Sequence, residues 1–561
     1  MKKNIVYISA FLILLGLFSC GKDLLEESPR DFLSTENAFT STEDIDASVY
    51  NLYRRVRREF YDRDENRPFD YLYGTDLVFD GEPQQSSNRH SPMKTAYDPT
   101  GAIATDHWGQ FYKIISEANT IIDRLALSEI TSEEQETYKS KALFFRGLSY
   151  RSLAYLYGGV PVSLNEISTP KTDFTRASRS EVIAQAISDL EVAADHLPGI
   201  ADVLDGEINN LAAYHLLAEL YIANGEFQKA IDAATIVIDD PSTALMQNRF
   251  GSRQSETDKD VYWDLFRNGN QNRSSGNTEG IWVIQFQTDV PGGSLVSSGL
   301  SGYVLERHHG PFFRDLKING ENPFAWPVGD LTGGRGIGWM ISTTYFSNTI
   351  WESDFDNDIR NANHNFAREF VANNPGSSFF GQTISTEDPE LADRVPSRNF
   401  YAFQTKCTTP FNHPGNIYDT NSPIPFMLKS SAGSTYTDQY MFRLAETYLL
   451  RAEAYLGLGN TGKAADDINI VRQRANASLV NAGDVDIDYI LDERMRELGV
   501  EEKRRLTLMR LGKLYDRVKA HNPFYTNQAD GLEEHYNLWP IPFSEIEANI
   551  GADIEQNPGY N

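Results

Sequence analysis

The chain has 561 residues, with Lys+Arg 51 against Asp+Glu 79 and a formal net charge of −28. That excess of negative charge excludes a nucleic-acid footprint and a peripheral dock on anionic lipid, both of which need a basic face. Only Cys20 and Cys407 are present, which excludes a disulfide framework and a cysteine metal site.

Two lysines at the start precede an apolar run from Ile5 to Phe18, which meets Leu17-Phe18-Ser19-Cys20. The run is shorter than the roughly 20 apolar residues of a spanning helix. It reads as a secretory signal over residues 1–19, ending in what looks like a bacterial lipobox with Cys20 as lipid anchor. Residues 20–34 follow as a short polar tether.

Helical periodicity then begins. Ile45, Val49, Leu52, Tyr53 and Val56 fall on one face, with Ser41 or Thr42 as cap. The stretch Tyr61 to Asp106 is rich in Asp, Pro, Ser and Asn without a period and reads as loop. A second helix carries Phe111, Ile114, Ile115, Ala118, Ile121, Ile122 and Leu125. A third, Ala142 to Tyr157, is apolar nearly all round and stops at Gly158-Gly159-Val160-Pro161. Ser178-Arg-Ser-Glu181 predicts a capping box opening a fourth.

Two later segments repeat one another. Leu216, Ala218, Tyr221, Gly225, Lys229 and Ala230 recur as Leu450, Ala452, Tyr455, Gly459, Lys463 and Ala464, a constant offset of 234 residues. Each is a helix, a glycine turn and a second helix with small residues at the crossing. That pattern resembles a tetratricopeptide unit, several of which must stack to bury their faces. The copies lie too far apart for a simple tandem solenoid. Between them Gly, Asn, Ser, Pro and aromatics dominate, and Ile281–Phe286 is the clearest strand. The fold class predicted is mainly α: a tetratricopeptide-like helical-pair frame (35–240 and 438–561) carrying a loop-rich insertion (241–437) with a few short strands. All of 35–561 is expected to form one domain.

From Arg443 the sequence becomes recognisable. Arg443-Leu-Ala-Glu-Thr-Tyr-Leu-Leu-Arg-Ala-Glu-Ala-Tyr455, then Glu493-Arg-Met-Arg-Glu-Leu498 and Glu502-Lys-Arg-Arg505, resemble signatures of the SusD/RagB family of surface nutrient-binding lipoproteins. So do Trp539-Pro-Ile-Pro-Phe-Ser-Glu-Ile-Glu547 with Gln556-Asn-Pro-Gly-Tyr560, the Phe145–Pro161 stretch, and Asp358-Ile-Arg360 inside the insertion. Val500-Glu501-Glu502 departs from the family, which usually has an aromatic and a glycine there. Matched charges at helical spacing predict that Glu493, Arg494, Glu497 and Arg504 make ion pairs on a solvated or structural face. Ser544-x-x-Glu547 reads as a capping box.

The resemblance implies an outer-membrane lipoprotein on the extracellular face. Such a protein binds oligosaccharides, or peptides in the RagB branch, for a SusC-type TonB-dependent transporter. It is a binding protein and not an enzyme, with no cofactor and no metal. A secreted glycoside hydrolase stays open as an alternative, since acidic pairs are abundant. Asp354, Asp356 and Asp358 alternate as in a calcium loop, but that loop's glycine and distant glutamate are missing. Gly333-Gly334-Arg-Gly336-Ile-Gly338 reads as a flexible loop or a tight backbone approach.

A sugar presents apolar C–H faces and a rim of hydroxyls, so its site wants aromatics ringed by polar side chains. The insertion supplies Trp326, Trp339, Tyr345 and Trp351, with Asn322, Asp330 and Arg335 nearby. The early loop supplies Tyr73, Asp76, Asn88 and Arg89. In the family these two regions face each other. Trp108 and Trp282, in regular elements, are expected to be core.

Overall fold

The computed structural model describes residues 41–62, 66–85, 87–128, 130–290 and 302–560. The signal segment, Cys20 and the tether lie outside the described residues. The chain is mostly helical with few, short strands, as predicted.

Helix α1 (Thr42–Arg57) opens on a capping box: Asp44 N donates to the Ser41 hydroxyl, and Ser41 N to the Asp44 carboxylate. Its predicted face, Ile45, Val49, Leu52 and Val56, is buried. Helix α2 (Ala102–Arg124) begins inside the stretch predicted as loop. Thr105 and Asp106 mask the onset, while Ile103, Ala104, His107 and Trp108 already extend the buried face. Helix α3 (Ser132–Leu156) also starts before its predicted bounds, because its first turns are exposed and carry no apolar signal. Helix α4 (Arg179–His196) is opened by the predicted Ser178–Glu181 box.

The two sequence copies are the pairs α5 (Asn210–Ala223) with α6 (Phe227–Asp239), and α7 (Leu444–Gly457) with α8 (Thr461–Arg474). Each helix from α2 to α8 packs on the next, including α6 on α7. The copies, so distant in sequence, are therefore consecutive in space, and the insertion leaves and rejoins one continuous array. Helices α9 (Ile487–Glu497), α10 (Arg504–Arg510) and α11 (Leu514–His521) follow. Among the described residues no helix is long and apolar enough to cross a membrane.

Among the described residues the strands pair in twos. Strand β1 (Val78–Asp80) joins β3 (Met340–Ser342), and β2 (Gly280–Ile284) joins β8 (Gln439–Arg443), which runs directly into α7. Within the insertion β4 (Phe366–Ala367) pairs β7 (Phe403–Gln404), and β5 (Glu369–Val371) pairs β6 (Thr383–Ser385). One apolar core runs from α1 to the C-terminal turn and takes in Phe313, Phe324, Phe366, Phe370 and Phe403 of the insertion. Trp108 and Trp282 are core residues, as expected.

The charged signatures lie inside the molecule, so of the two faces expected, solvated or structural, the structural one is found. Arg360 donates to Asp358, to Glu493 at 2.8 Å and to Glu497 at 3.1 Å. Arg443 reaches Glu279, Glu497 and Glu501, and Arg472 pairs with Glu493. Burial alone raises the Glu493 carboxyl, but Arg360, Arg472 and Arg496 outweigh it and hold it at about 2. These pairs fasten the insertion to α9 and strand β8. The departing residues Glu501 and Glu502 serve the same network, Glu501 with Arg443 and Lys406, Glu502 with Arg494 and Arg504.

One correction concerns Ser544. The helix spans Phe543–Ala548 with Pro542 as its cap, so Ser544 lies within the first turn. No side chain caps this helix, so the predicted box at Ser544 and Glu547 does not form.

Candidate functional site

The early loop is held from the C-terminal side. Arg505 donates to the Asp70 carbonyl at 2.8 Å and the Tyr73 carbonyl at 2.5 Å. Asn522 donates to the carbonyls of Thr75 and Val78. Asp76 accepts from Arg504 Nε and Nη2 at 2.9 and 2.7 Å and from Arg517 Nε at 2.9 Å. The loop is thus rigid where it enters β1.

Strands β1 and β3 bring the early loop and the insertion together. Val78 pairs with Ser342 and Asp80 with Met340, and Gly81 N donates to the Trp339 carbonyl at 2.8 Å. A Cβ at Gly81 would collide with the Gly338 carbonyl, so only glycine allows this approach. Gly338 has φ +67°, and a Cβ there would strike the Arg398 carbonyl. The glycine-rich run is therefore a tight backbone approach.

On this base Phe312, Ile337 and Trp339 form an apolar cluster with Trp326 packed against it. Phe312 and Trp326 meet edge to face at 5.4 Å. Trp326 Nε1 donates to the Gly336 carbonyl at 3.0 Å, and Trp339 Nε1 to Glu82 at 2.7 Å. Guanidinium groups lie over the rings. Arg89 and Arg307 are 4.1 and 4.9 Å from the Trp339 centroid. Arg335 and Arg314 are 5.4 and 5.9 Å from Trp326, and Arg398 is 4.9 Å from Phe312. Glu82 also binds Arg398. Burial pushes the Asp80 carboxyl up to about 6, the Glu82 amide and Arg89 at 3.7 Å offsetting only part of the effect.

The structure gathers part of the predicted set. Arg89, Trp326 and Trp339 converge on this platform, Asn88 precedes Arg89 in the chain, and Arg335 stacks on Trp326. Asn322 holds the Arg314 carbonyl at 2.7 Å. The Asp330 carboxylate is taken by Thr332 and Asn373. Three predicted residues are core. Tyr73 is fully buried and its hydroxyl meets His308 Nδ1 at 2.8 Å. His308 in turn sits 5.1 Å from the Trp339 ring, so Tyr73 supports the platform from beneath. Asp76 is buried in its two arginine pairs. Trp351 is buried, with Nε1 on the Phe346 carbonyl. Tyr345 belongs elsewhere: it stacks on His521 and bonds Asp492, between α9 and α11. Trp339 itself is only 9% exposed, so it carries the arginines above it and offers no open ring face. Trp326 is the half-exposed ring.

Sequence reasoning passed over Glu82, Phe312, Arg307, Arg314 and Arg398. It also passed over Phe411 and Phe426. Both have left-handed backbones, φ 63° and 58°, both are exposed, and they meet edge to face at 5.1 Å. Gly329, three residues after Trp326, anchors both: it accepts from Phe411 N at 2.7 Å and donates to the Phe426 carbonyl at 2.8 Å. Bulky residues in this conformation are strained and tend to mark functional surface. The aromatic surface thus extends beyond Trp326.

Among the described residues no group of three His, Cys, Asp or Glu side chains is placed to hold a metal ion. Asp354 and Asp358 of the alternating run are paired with Arg472 and Arg360. A separate cavity of about 330 Å³ lies between α2, residues 161–174 and the C-terminal turn, lined by Trp108, Tyr112, Phe174 and Ile554. It shares no residue with the platform.

Residues 343–560 match the profile of the SusD family, and residues 23–222 match a profile described as starch-binding associating with outer membrane. SusD-like protein P25 of Formosa agariphila is 26% identical over all of both chains. The starch-binding protein SusD of Bacteroides thetaiotaomicron is 38% identical over 136 residues, 24% of each chain. Among solved structures, a laminarin-binding SusD-like protein superposes with a TM-score of 0.66 at 20% identity, covering 93% of this chain and 100% of that one. Surface glycan-binding protein A from Bacteroides thetaiotaomicron gives 0.64 at 19% identity, covering 93% and 99%. These two share the fold.

Proposed function

The chain belongs to the SusD/RagB family, and from that premise we propose that it is a surface capture protein for oligosaccharides. It binds a glycan without cleaving it and presents it to a SusC-type TonB-dependent transporter. Cys20 is its lipid anchor to the outer membrane, with the platform on the extracellular side. A lipid tether keeps its effective concentration near that transporter high.

The observation that carries this reading is the aromatic surface of Trp326, Phe411 and Phe426. It is set on a rigid two-strand base and bordered by side chains that donate hydrogen bonds. A pyranose stacks its C–H face on such rings, and its hydroxyls take the polar rim. The names of the relatives, which speak of starch, laminarin and surface glycan, lend support.

The test uses the soluble chain starting after Cys20, titrated calorimetrically with oligosaccharides and with peptides, the ligand being recovered and sized afterwards. A glycan is expected to bind and return intact. Trp326→Ala should weaken it roughly tenfold, the worth of one stacked ring and its apolar area. Binding of peptides alone, release of shorter products, or unchanged affinity in that variant would overturn the proposal. In cells, Cys20→Ala should abolish surface anchoring; normal anchoring would refute the lipid tether.

A further inference from the structure

The cavity of about 330 Å³ beside α2 plays no part in the platform, yet both its walls and its rim are apolar. Tyr112, Ile115, Phe174 and Ile554 face it. The two segments that rim it, 161–174 and 543–554, leave Leu164, Ile167, Phe543 and Ile550 exposed. Both segments are tied down. Asn549 donates to the Phe174 carbonyl and accepts from its amide, each at 2.8 Å, and Gly551 N donates to the Thr172 carbonyl at 2.7 Å. The hollow is therefore built into the fold. Single exposed apolar side chains need no explanation, but four on the rim of one cavity mark a surface that something covers. Glu545 stands at the mouth. Trp108 donates to it, burial raises its carboxyl, and among the described residues no cation pairs with it.

We propose that the cover is the chain's own segment 21–40, with Phe32-Leu33 filling the cavity. Reach favours it. Asn51 and Arg55 of α1 hold Glu117 of α2, and Phe60, just after α1, meets Phe111, so the two helices run antiparallel. Ser41 therefore lies beside the C-terminal end of α2. From Arg124 back to the wall residue Tyr112 is about 18 Å at 1.5 Å per residue. Leu33 stands eight residues before Ser41, a reach of up to about 26–29 Å. Composition favours it too. The segment carries two large apolar pairs, Leu24-Leu25 and Phe32-Leu33, and Arg30 stands two residues before Phe32, a cation for Glu545. Finally, the profile matched by residues 23–222 begins inside this segment, so the domain it describes starts ahead of α1. Seated in this way, the segment leaves residues 21–29 between Cys20 and the body, a span of at most about 32 Å. The cavity end of the molecule is then held close to the membrane. That consequence rests on the lipid anchor proposed above; the docking does not.

The experiment is hydrogen exchange read by mass spectrometry on the soluble chain starting after Cys20, with no glycan present. Residues 30–40 should exchange at least about tenfold more slowly than the same sequence as a free peptide. Gly109 lines the cavity, and a Cβ there meets no atom within 4 Å. Gly109→Phe should therefore fill the hollow without distorting α2 and bring residues 30–40 to the free-peptide rate. In the reverse direction, the double variant Phe32→Ser, Leu33→Ser should speed exchange across 161–174. It should also melt about 2–4 °C lower, the burial of two large side chains set against the unfolding entropy of the whole chain. Free-peptide exchange of 30–40 in the unsubstituted chain, protection that survives Gly109→Phe, or unchanged exchange at 161–174 in the double variant would each overturn the docking. None of these results touches glycan capture, because the cavity shares no residue with the platform.

Discussion

Asp76 decides between two roles that the sequence could not separate, ligand contact and internal clamp. Asp76→Asn preserves volume but leaves Arg504 and Arg517 without the carboxylate they share. Removing one partner of a buried pair costs about 3–5 kcal/mol. Glu502, 3.2 Å from Arg504, and Asp492, 2.5 Å from Arg517, remain as partial partners. They place the loss at the lower end, about 3 kcal/mol. With an unfolding entropy of about 2.1 cal/mol/K per residue, a chain of 561 residues should melt about 2–3 °C lower. Circular-dichroism melts at pH 7 measure this, and calorimetry on the folded variant should return glycan affinity within about twofold of wild type, since Arg505 and Asn522 still hold the carbonyls of the loop.

The pH dependence gives an independent check. Burial raises the Asp76 carboxyl, but Arg504 and Arg517 outweigh it and hold it well below the usual carboxylate range. A carboxylate depressed in the folded state stabilises above its unfolded value, near 3.9, and that stability is lost as pH falls below it. The gap between wild type and variant should hold from pH 7 to about 5 and close as pH drops below about 3.9. An unchanged melt would refute the clamp. An unchanged melt with lost binding would return Asp76 to the ligand.

Asp80 should behave in the opposite sense. Burial holds its carboxyl at about 6, so the folded state favours the protonated form, a benefit present below the unfolded value and lost as pH rises through the folded one. Asp80→Asn should therefore stabilise the chain by about 2–3 kcal/mol above pH 7 and by nothing below pH 4, read from denaturant midpoints; equal stability at pH 8 would show that the carboxylate is well solvated. Gly81→Val should separate β1 from β3, because its Cβ collides with the Gly338 carbonyl. Glycan affinity should then fall at least about tenfold while the melting temperature moves only a few degrees, since a strained loop is a local cost; wild-type affinity would show that the platform survives without the sheet.

What could be read from the sequence was whatever repeats at short range. Ser178 announces its helix because a capping box is complete within four residues. The offset of 234 residues revealed two helical pairs because each pair carries its own small-residue crossing. Their stacking of α6 on α7 could not be read, because nothing local records which pair comes next. The onset of α2 was hidden by Thr105 and Asp106, whose polarity interrupts a face that Ile103 and Trp108 already define. The site suffered most. Tyr73, Asp76 and Trp351 have the composition expected of a sugar site, but composition carries no information on burial. The features that define the platform are contacts between Arg89 and Trp339, or Glu82 and Arg398, separated by hundreds of residues and joined only by a three-residue sheet.

The charged signature near the C-terminus and the aromatic platform are consequently one mechanical unit. Arg504, Arg505 and Arg517 touch no residue of the platform. They hold the backbone from Asp70 to Asp76, and that backbone sets the angle at which β1 meets β3. The sheet then decides whether Arg89 arrives over Trp339. The first step passes through buried, charge-assisted contacts and the second through a backbone ladder, each with one strongly preferred geometry. Rigid elements of this kind let the exposed positions change without disturbing the frame. Trp326, Arg314, Phe411 and Phe426 make few bonds that the fold requires. Substitutions at these exposed positions should therefore change the chemistry offered at the surface while the arginines of α10 and α11 keep the frame in place.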